Sequence, residues 1–327
     1  MKVAVTGASG HVGGNLVRAL LKAGHQVKGL VHEDHRAIEG LDIEVVSGDI
    51  LDGQALDKLF ADVEVVYHLA ALITLLPEHK RLARINVEGP KQVVEACLRQ
   101  KVKRLVHTAS IEALLHRGAS RPITEEEMPA PEQVETAYGQ SKARGENVIR
   151  EGIARGLDAV IVNPTAVIGP HDYKISHFGQ VFIDLAQRKL PTLVHGGFDL
   201  VDARDVVDGM MAAAEKGRCG ERYLLAGEFM TLKEIAETVE EVTGAKPPRI
   251  TIRPGLIYPI SFLMPPFYRL TGRRPRFTPM SIFMISGNFQ VDHSKAAREL
   301  GFAPRPAREG IRDAITWFQQ NNKLDAN

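Results

Sequence analysis

Apolar residues recur along this chain in two rhythms that alternate. Short β-rich runs at 2–5, 26–31, 43–46, 63–68, 104–108 and 158–162 read as strands. Between them, 15–23, 54–60, 84–99 and 138–155 carry apolar positions at three- and four-residue spacing, which lines one face of a helix. That alternation predicts crossover units, and so an α/β fold built on a doubly wound parallel sheet with helices on both faces. From Gly169 onward, prolines including Pro170, Pro191, Pro247, Pro248, Pro254 and Pro259 break the rhythm, and a smaller, irregular lobe is expected. A helix at 206–216 and a strand at 222–226 bring the chain back to the main sheet between two excursions.

One apolar stretch stands apart. Residues 255–270 include Leu256, Ile257, Tyr258, Ile260, Phe262, Leu263 and Met264, but Pro259, Pro265 and Pro266 interrupt them. A membrane span needs about 20 mostly apolar residues, so no integral span is expected here. A buried amphipathic helix is the first reading; a lid or wall of an apolar substrate pocket and a membrane-surface contact are the others.

Composition narrows the field. The 327 residues are enough for a large core, and a formal net charge of +1 provides no global field for nucleic acid or an anionic membrane, which leaves small-molecule chemistry as the default. Two cysteines, Cys97 and Cys219, offer neither a disulfide framework nor a thiolate metal site, as fits a reducing cytoplasm. A strand-like run directly after Met1 leaves no room for a signal peptide, so a cytoplasmic protein is expected. His32, His35, His171, His177 and His195 lack helix-spaced, carboxylate-backed ligand pairs, and no metal is expected.

The first strand runs into Thr6-Gly7-Ala8-Ser9-Gly10-His11-Val12-Gly13 ahead of a helix. Gly7 permits a tight turn, Gly10 lets backbone amides approach a pyrophosphate, and Gly13 allows close helix–sheet packing, so a bound dinucleotide is expected at this helix N-terminus. Residues 1–168, with 200–227 returning, then form a dinucleotide-binding unit, while 169–199 and 228–327 form mainly a substrate lobe. Glu33 and Asp34 lie where an acid holds the ribose of NAD. Yet Val31 occupies the strand tip, and His32 and Arg36 suit a 2′-phosphate, so NADP is favoured and NAD remains open. Asp49, followed by Ile50 at the end of the third strand, either touches the adenine edge or caps the helix near Gln54.

Downstream, Tyr138 and Lys142 are four residues apart and share a helix face. A free phenol holds its proton up to a pKa of about 10, and a fixed ammonium nearby favours the phenolate, which makes Tyr138 a candidate proton shuttle. Glu125, Glu126 and Glu127 read as a solvated loop or helix start. His171, Tyr173 and Lys174 read equally as substrate contacts or as a surface loop.

With Thr6-Gly7-x-x-Gly10-x-x-Gly13 and Tyr138-x-x-Ser141-Lys142 in hand, the chain resembles the extended short-chain dehydrogenase/reductases, a Rossmann-like family, over nearly its full length. Gly48-Asp49, His68-Leu69-Ala70-Ala71, Asn86, Thr108-Ala109-Ser110 and Asn163-Pro164-Thr165 match its markers in order. It looks most like the dihydroflavonol reductase and 3β-hydroxysteroid dehydrogenase branch, with softer likeness at 269–276, 292–296 and 300–302. The resemblance implies that Tyr138 exchanges a proton with the substrate oxygen, that Lys142 holds the nicotinamide ribose, and that Ser110 bonds the same oxygen. Ser110 also reads as a strand-end turn residue. By the same likeness Leu69, Ala70 and Ala71 lie along the cofactor, Pro164 and Thr165 border the nicotinamide, and Asn86 is either structural or a proton relay. Sugar-nucleotide dehydratases carry Thr-Asp-Glu where this chain has Ser110-Ile111-Glu112, so dehydration is disfavoured and Glu112 reads as a solvated loop carboxylate. The expected activity is NADP-linked reduction of a ketone or aldehyde on a fairly apolar small molecule, or the reverse oxidation. A nucleotide-sugar epimerase with tight NAD and a non-catalytic NADP sensor are the alternatives. The helices at 84–99 and 138–155 resemble those that pair in homodimers of relatives.

Overall fold

Strand residues two apart share a face, and the first strands show it. In β1 (Lys2–Thr6), Val3 and Val5 pack with Leu16, Val17 and Leu20 of helix α1 (His11–Lys22), whereas Ala4 joins the opposite core with Leu56, Leu59 and Phe60 of α2 (Gly53–Phe60). Burying each such aliphatic side chain contributes about 1.5–3 kcal/mol, and both faces of the sheet are covered in this way. The structure, a computed structural model, describes residues 1–75, 81–116, 119, 122–264, 266, 270, 278–287 and 289–324. The 269–276 likeness therefore lies, apart from Leu270, outside the described residues.

The remaining strands of the described residues are β2 (Gln26–Val31), β3 (Glu44–Ser47), β4 (Val65–His68), β5 (Arg104–Thr108), β6 (Ala159–Pro164), β7 (Ala166–Ile168), β8 (Leu193–Val194), β9 (Gly197–Asp202), β10 (Arg222–Leu225), β11 (Glu228–Thr231) and β12 (Thr251–Ile252). Among the described residues, seven form one parallel sheet in the order β10-β6-β5-β4-β1-β2-β3. The doubly wound sheet read from the sequence is present, and β10 joins it from late in the chain. Chain order reverses between β1 and β4, so their C-terminal ends border a crevice, the usual ligand position in such sheets. Strands β7, β9 and β11 make a second sheet, cored by Phe182, Ile235, Ile311 and Phe318.

The helix read at 84–99 is interrupted. Residues Arg84–Glu88 form a π-turn before α3 (Gly89–Gln100) begins. Pro90 has no N–H to offer the Asn86 carbonyl four residues back. Gly145 of α4 (Ala137–Ala154) lies against that carbonyl, where a Cβ would come within 2.3 Å of it. A missing donor and a missing side chain thus let the two helices close together.

Two loop readings change. In the 125–127 triad Glu126 is exposed, but its neighbours are docked: Glu125 Oε1 accepts from the Leu224 amide at 3.1 Å, and Arg222 donates to the Glu127 carbonyl at 2.6 Å. The cause is β10's position at the sheet edge, where unpaired backbone groups need partners. Among the described residues the 255–270 stretch supplies no buried helix. Its helix Pro254–Ser261 buries only Ser261, leaving Leu256 71% exposed. Apolar residues lie all round it, so no single stripe meets the core. No helix of the described residues is long and apolar enough to cross a membrane.

Arg222 is also locked to Glu146 of α4, and Glu146 holds Arg150 at 2.9 Å. Removing one partner of a buried pair strands the other charge, which costs about 3–5 kcal/mol. Glu146→Ala is therefore expected to lower unfolding stability by that amount in a denaturant titration, and Glu132→Ala, whose ion pair with Arg144 lies in solvent, to leave it nearly unchanged.

Candidate active site

The glycine turn shows why glycine stands at each place. Gly7 has φ +74°, and a Cβ there would come 2.8 Å from the Ala70 amide. At Gly13 a Cβ would lie 2.0 Å from the Gly7 carbonyl, so α1 rests on the turn. Gly10 caps α1 with no side-chain hydrogen bond, which leaves the helix's first amides open to an anion. These features fit a dinucleotide pyrophosphate. The neighbours are mostly engaged with protein. Thr6 is fully buried, bonding His68 Nδ1 at 2.7 Å and accepting from the Leu69 and Ala70 amides, so its hydroxyl shapes the loop after β4. His11 bonds the Pro170 carbonyl at 3.0 Å, Lys174 reaches Ser9 Oγ at 3.4 Å, and Val12 packs on the core beneath β1. His171 and Tyr173 stack near Trp317, with Arg18 over the Tyr173 ring, so this loop is pinned beside the glycine turn.

At the other end of the crevice, β2 finishes in Val31, which is buried and offers no carboxylate. His32 stands 3.8 Å from Asp49, whose other oxygen accepts from the Leu51 amide. The cap of α2 is Asp52, bonding the Gln54 and Ala55 amides, so Asp49 is no helix cap. Ile50 is buried against Gly89. Arg36 makes a two-pronged pair with Asp34, whose carboxyl the Arg36 hydrogen bond lowers to about 2.

Leu69, Ala70 and Ala71 follow β4 along the crevice. Asn86 holds this segment, accepting from the Leu72 amide at 2.8 Å and donating to the Leu72 carbonyl and to Ser141 Oγ. Its amide is fully occupied, which favours the structural reading.

Helix α4 brings Tyr138 and Lys142 to the C-terminal end of β5. Thr136 caps it, accepting from the Gly139 amide at 2.8 Å. Both side chains are buried, and the Lys142 ammonium donates to the Thr108 carbonyl at 2.6 Å. Ser110, just beyond β5, has its side chain within reach of the Tyr138 phenol and also accepts from the Glu112 amide at 3.2 Å. Ser110 thus serves the turn after β5 while its hydroxyl faces the Tyr138 phenol. Asn163, fully buried on β6, donates to the Ser110 carbonyl and fixes that turn.

The electrostatics depart from the expectation that Lys142 lowers the phenol. Burial pushes Tyr138 well above its ordinary value, and the Glu112 carboxyl adds to this, outweighing the opposing hydrogen bond from Ser110. Burial also brings Lys142 down to about 8, with Glu146 pulling upward. His68 and His107, their tilted rings 5.1 Å apart, are kept neutral, chiefly by burial and further by Lys142.

Glu112 is the residue whose placement the sequence concealed. It is no solvated loop carboxylate: it lies in the 3-10 turn Ile111–Leu114 and accepts from Thr136 Oγ1 at 2.9 Å. Thr136 had a readable signal, a threonine just before a helix. Glu112 had none, since its partner is 24 residues away. Beyond Ser110 lies a cleft lined by Ile111, Leu115, Phe198, Met284 and Phe289, with Thr165 and Asp199 as its polar members. Pro164, ending β6, precedes it. Burial raises Asp199, which accepts from the Gly227 amide at 2.8 Å.

Burial lifts the Glu112 carboxyl from 4.5 to about 7 against the Thr136 hydrogen bond. A carboxyl raised by folding adds stability that is complete below its unfolded value and is lost as pH climbs through the folded one. Glu112→Gln cannot ionise. Its denaturation midpoint is expected to rise relative to that of the parent between pH values of about 4.5 and 7.5; a pH-independent difference would contradict this.

Residues 3–226 match the family described as NAD dependent epimerase/dehydratase. The chain is 37% identical to sterol demethylase protein B of Methylococcus capsulatus over 99% of this chain and 100% of that one. It is 32% identical to a putative dihydroflavonol 4-reductase of Synechocystis, over 97% and 94% respectively. Among solved structures, that of gox2253 superposes with a TM-score of 0.86 at 34% identity, covering 98% of each chain. The chain therefore belongs to the NAD dependent epimerase/dehydratase family, among the extended short-chain dehydrogenase/reductases, and is an NAD(P)-dependent oxidoreductase.

Proposed function

We propose that the protein is an NADP-linked oxidoreductase that reduces a ketone or aldehyde on a fairly apolar small molecule, with Tyr138 as the proton donor. The observation that carries this reading is the meeting of Ser110, Tyr138 and Lys142 at the end of β5, beside an apolar cleft. The glycine turn and the uncapped start of α1 would hold the pyrophosphate, Leu69 to Ala71 the chain of the dinucleotide, and Lys142 the nicotinamide ribose. Bound there, the nicotinamide supplies a hydride to the carbonyl carbon. Ser110 orients the carbonyl oxygen, and Tyr138 Oη gives it a proton. At neutral pH the phenol carries its proton, as donation to a developing alkoxide in the reductive direction requires.

The cleft supports an apolar substrate over a nucleotide sugar. Its described lining has aromatic and aliphatic side chains and one carboxyl, Asp199, but no cation to meet a diphosphate. Asn163 is fully buried with its amide bonded to the Ser110 carbonyl, so it does not face the cleft as a polar contact for a nucleotide. The names of the relatives, a sterol demethylase protein and a putative dihydroflavonol reductase, agree in pointing to ring systems. For the cofactor, Val31 at the strand tip offers no carboxylate to a ribose 2′-hydroxyl, which supports NADP, and Arg36 would meet a 2′-phosphate by leaving its pair with Asp34.

Purified protein is expected to oxidise NADPH faster than NADH with carbonyl compounds drawn from steroid, flavonoid and small-ketone classes. Tyr138→Phe should lower kcat by about 10²–10⁴ while NADPH still binds, as followed by fluorescence. Arg36→Ala should cost about tenfold in kcat/KM for NADPH and little for NADH, the worth of one charge-assisted hydrogen bond. Absence of NADPH and NADH turnover across the panel would end this reading.

A further inference from the structure

The helix Pro254–Ser261 is a small element with an unusual surface. Besides the buried Ser261, its one large apolar side chain packed on a core cluster is Ile257, beside Val194, Ile282 and Ile285. Leu256, Tyr258, Ile260, Phe262 and Leu263 are 71%, 42%, 58%, 56% and 72% exposed, a contiguous run of large apolar side chains facing water. Runs of that kind mark interaction surfaces.

Charge identifies the occupant. From residue 242 to 291 the sequence contains seven lysines and arginines and no aspartate or glutamate. The 34 basic and 40 acidic residues elsewhere leave the remainder at −6, so a net charge of +1 conceals a strongly cationic segment. Lys246, Arg249 and Arg253, leading into the helix, are exposed, and among the described residues none has a carboxylate partner. Exposed apolar side chains with unpaired cations beside them match an anionic lipid interface, where apolar groups enter the acyl boundary and basic ones meet headgroups. A second copy of this chain would bring the same positive charge to the contact and be repelled.

We propose that this helix and its basic flank dock the protein on an anionic lipid surface as a peripheral contact. The inference is independent of the reaction proposed above, and its test does not use turnover as the readout of docking.

The full chain is mixed with vesicles of phosphatidylcholine alone or with about a third phosphatidylglycerol, and the bound fraction is measured by sedimentation. Binding is expected to be at least about tenfold stronger on the anionic vesicles and to weaken as salt rises. The double variant Leu256→Glu with Leu263→Glu should lose that binding at an unchanged thermal midpoint, because neither side chain packs on the core. Arg253→Glu should weaken it by severalfold. Equal binding to neutral and anionic vesicles would overturn the proposal, as would no binding to either. So would light scattering that shows a dimer dissociated by the double variant, which would make this face a self-association surface.

Discussion

A buried ammonium organises this active site. Lys142 sits in the wall of the crevice with one carbonyl, that of Thr108, as its hydrogen-bond acceptor at 2.6 Å. Taking a cation out of water is expensive unless its charge is answered. The answer comes from the same helix one turn later, in Glu146, whose buried carboxylate pulls Lys142 toward its charged form. Glu146 in turn needs a cation and has Arg222 on the edge strand, and Arg222 needs acceptors and has the carbonyls of the 125–127 loop. One buried charge thus reaches through α4 to the far edge of the sheet.

A second polar chain runs through the other end of that helix. The Thr136 hydroxyl accepts from the Gly139 amide, so its proton is free to point at Glu112. Glu112 in turn follows Ser110, whose backbone Asn163 holds from the neighbouring strand. Helix cap, carboxyl and serine turn are therefore one connected unit, and Tyr138 stands between its members. The phenol's proton is governed by this surrounding as much as by the lysine one turn away, since burial and Glu112 push in the same direction.

Glycines do the corresponding work for the backbone. Gly13 lets α1 settle on the turn at Gly7, Gly139 lets α4 approach the Glu112 carbonyl, and Gly145 lets the same helix close on Asn86. Each marks a place where two segments far apart in sequence come nearer than a side chain allows. The glycine of the cofactor turn was readable because its spacing follows a strand and precedes a helix. Gly139 and Gly145 were not, because nothing local announces what they will touch.

The division between sequence and tertiary structure follows from range. Periodicity, the glycine turn and the i,i+4 spacing of Tyr138 and Lys142 are local, so the sheet, its helices and the central pair were legible in the residues alone. The positions of Glu112, Arg222 and the 125–127 loop depend on partners 24 to 99 residues distant, and no local pattern encodes such a pairing. The apolar run at 255–263 makes the same point in reverse: its composition was plain, but whether it met a core or faced water was decided by what packs beside it. Chain chemistry determined which groups exist and which elements carry them; only the fold decided which charges are buried together, and burial is what sets their protons.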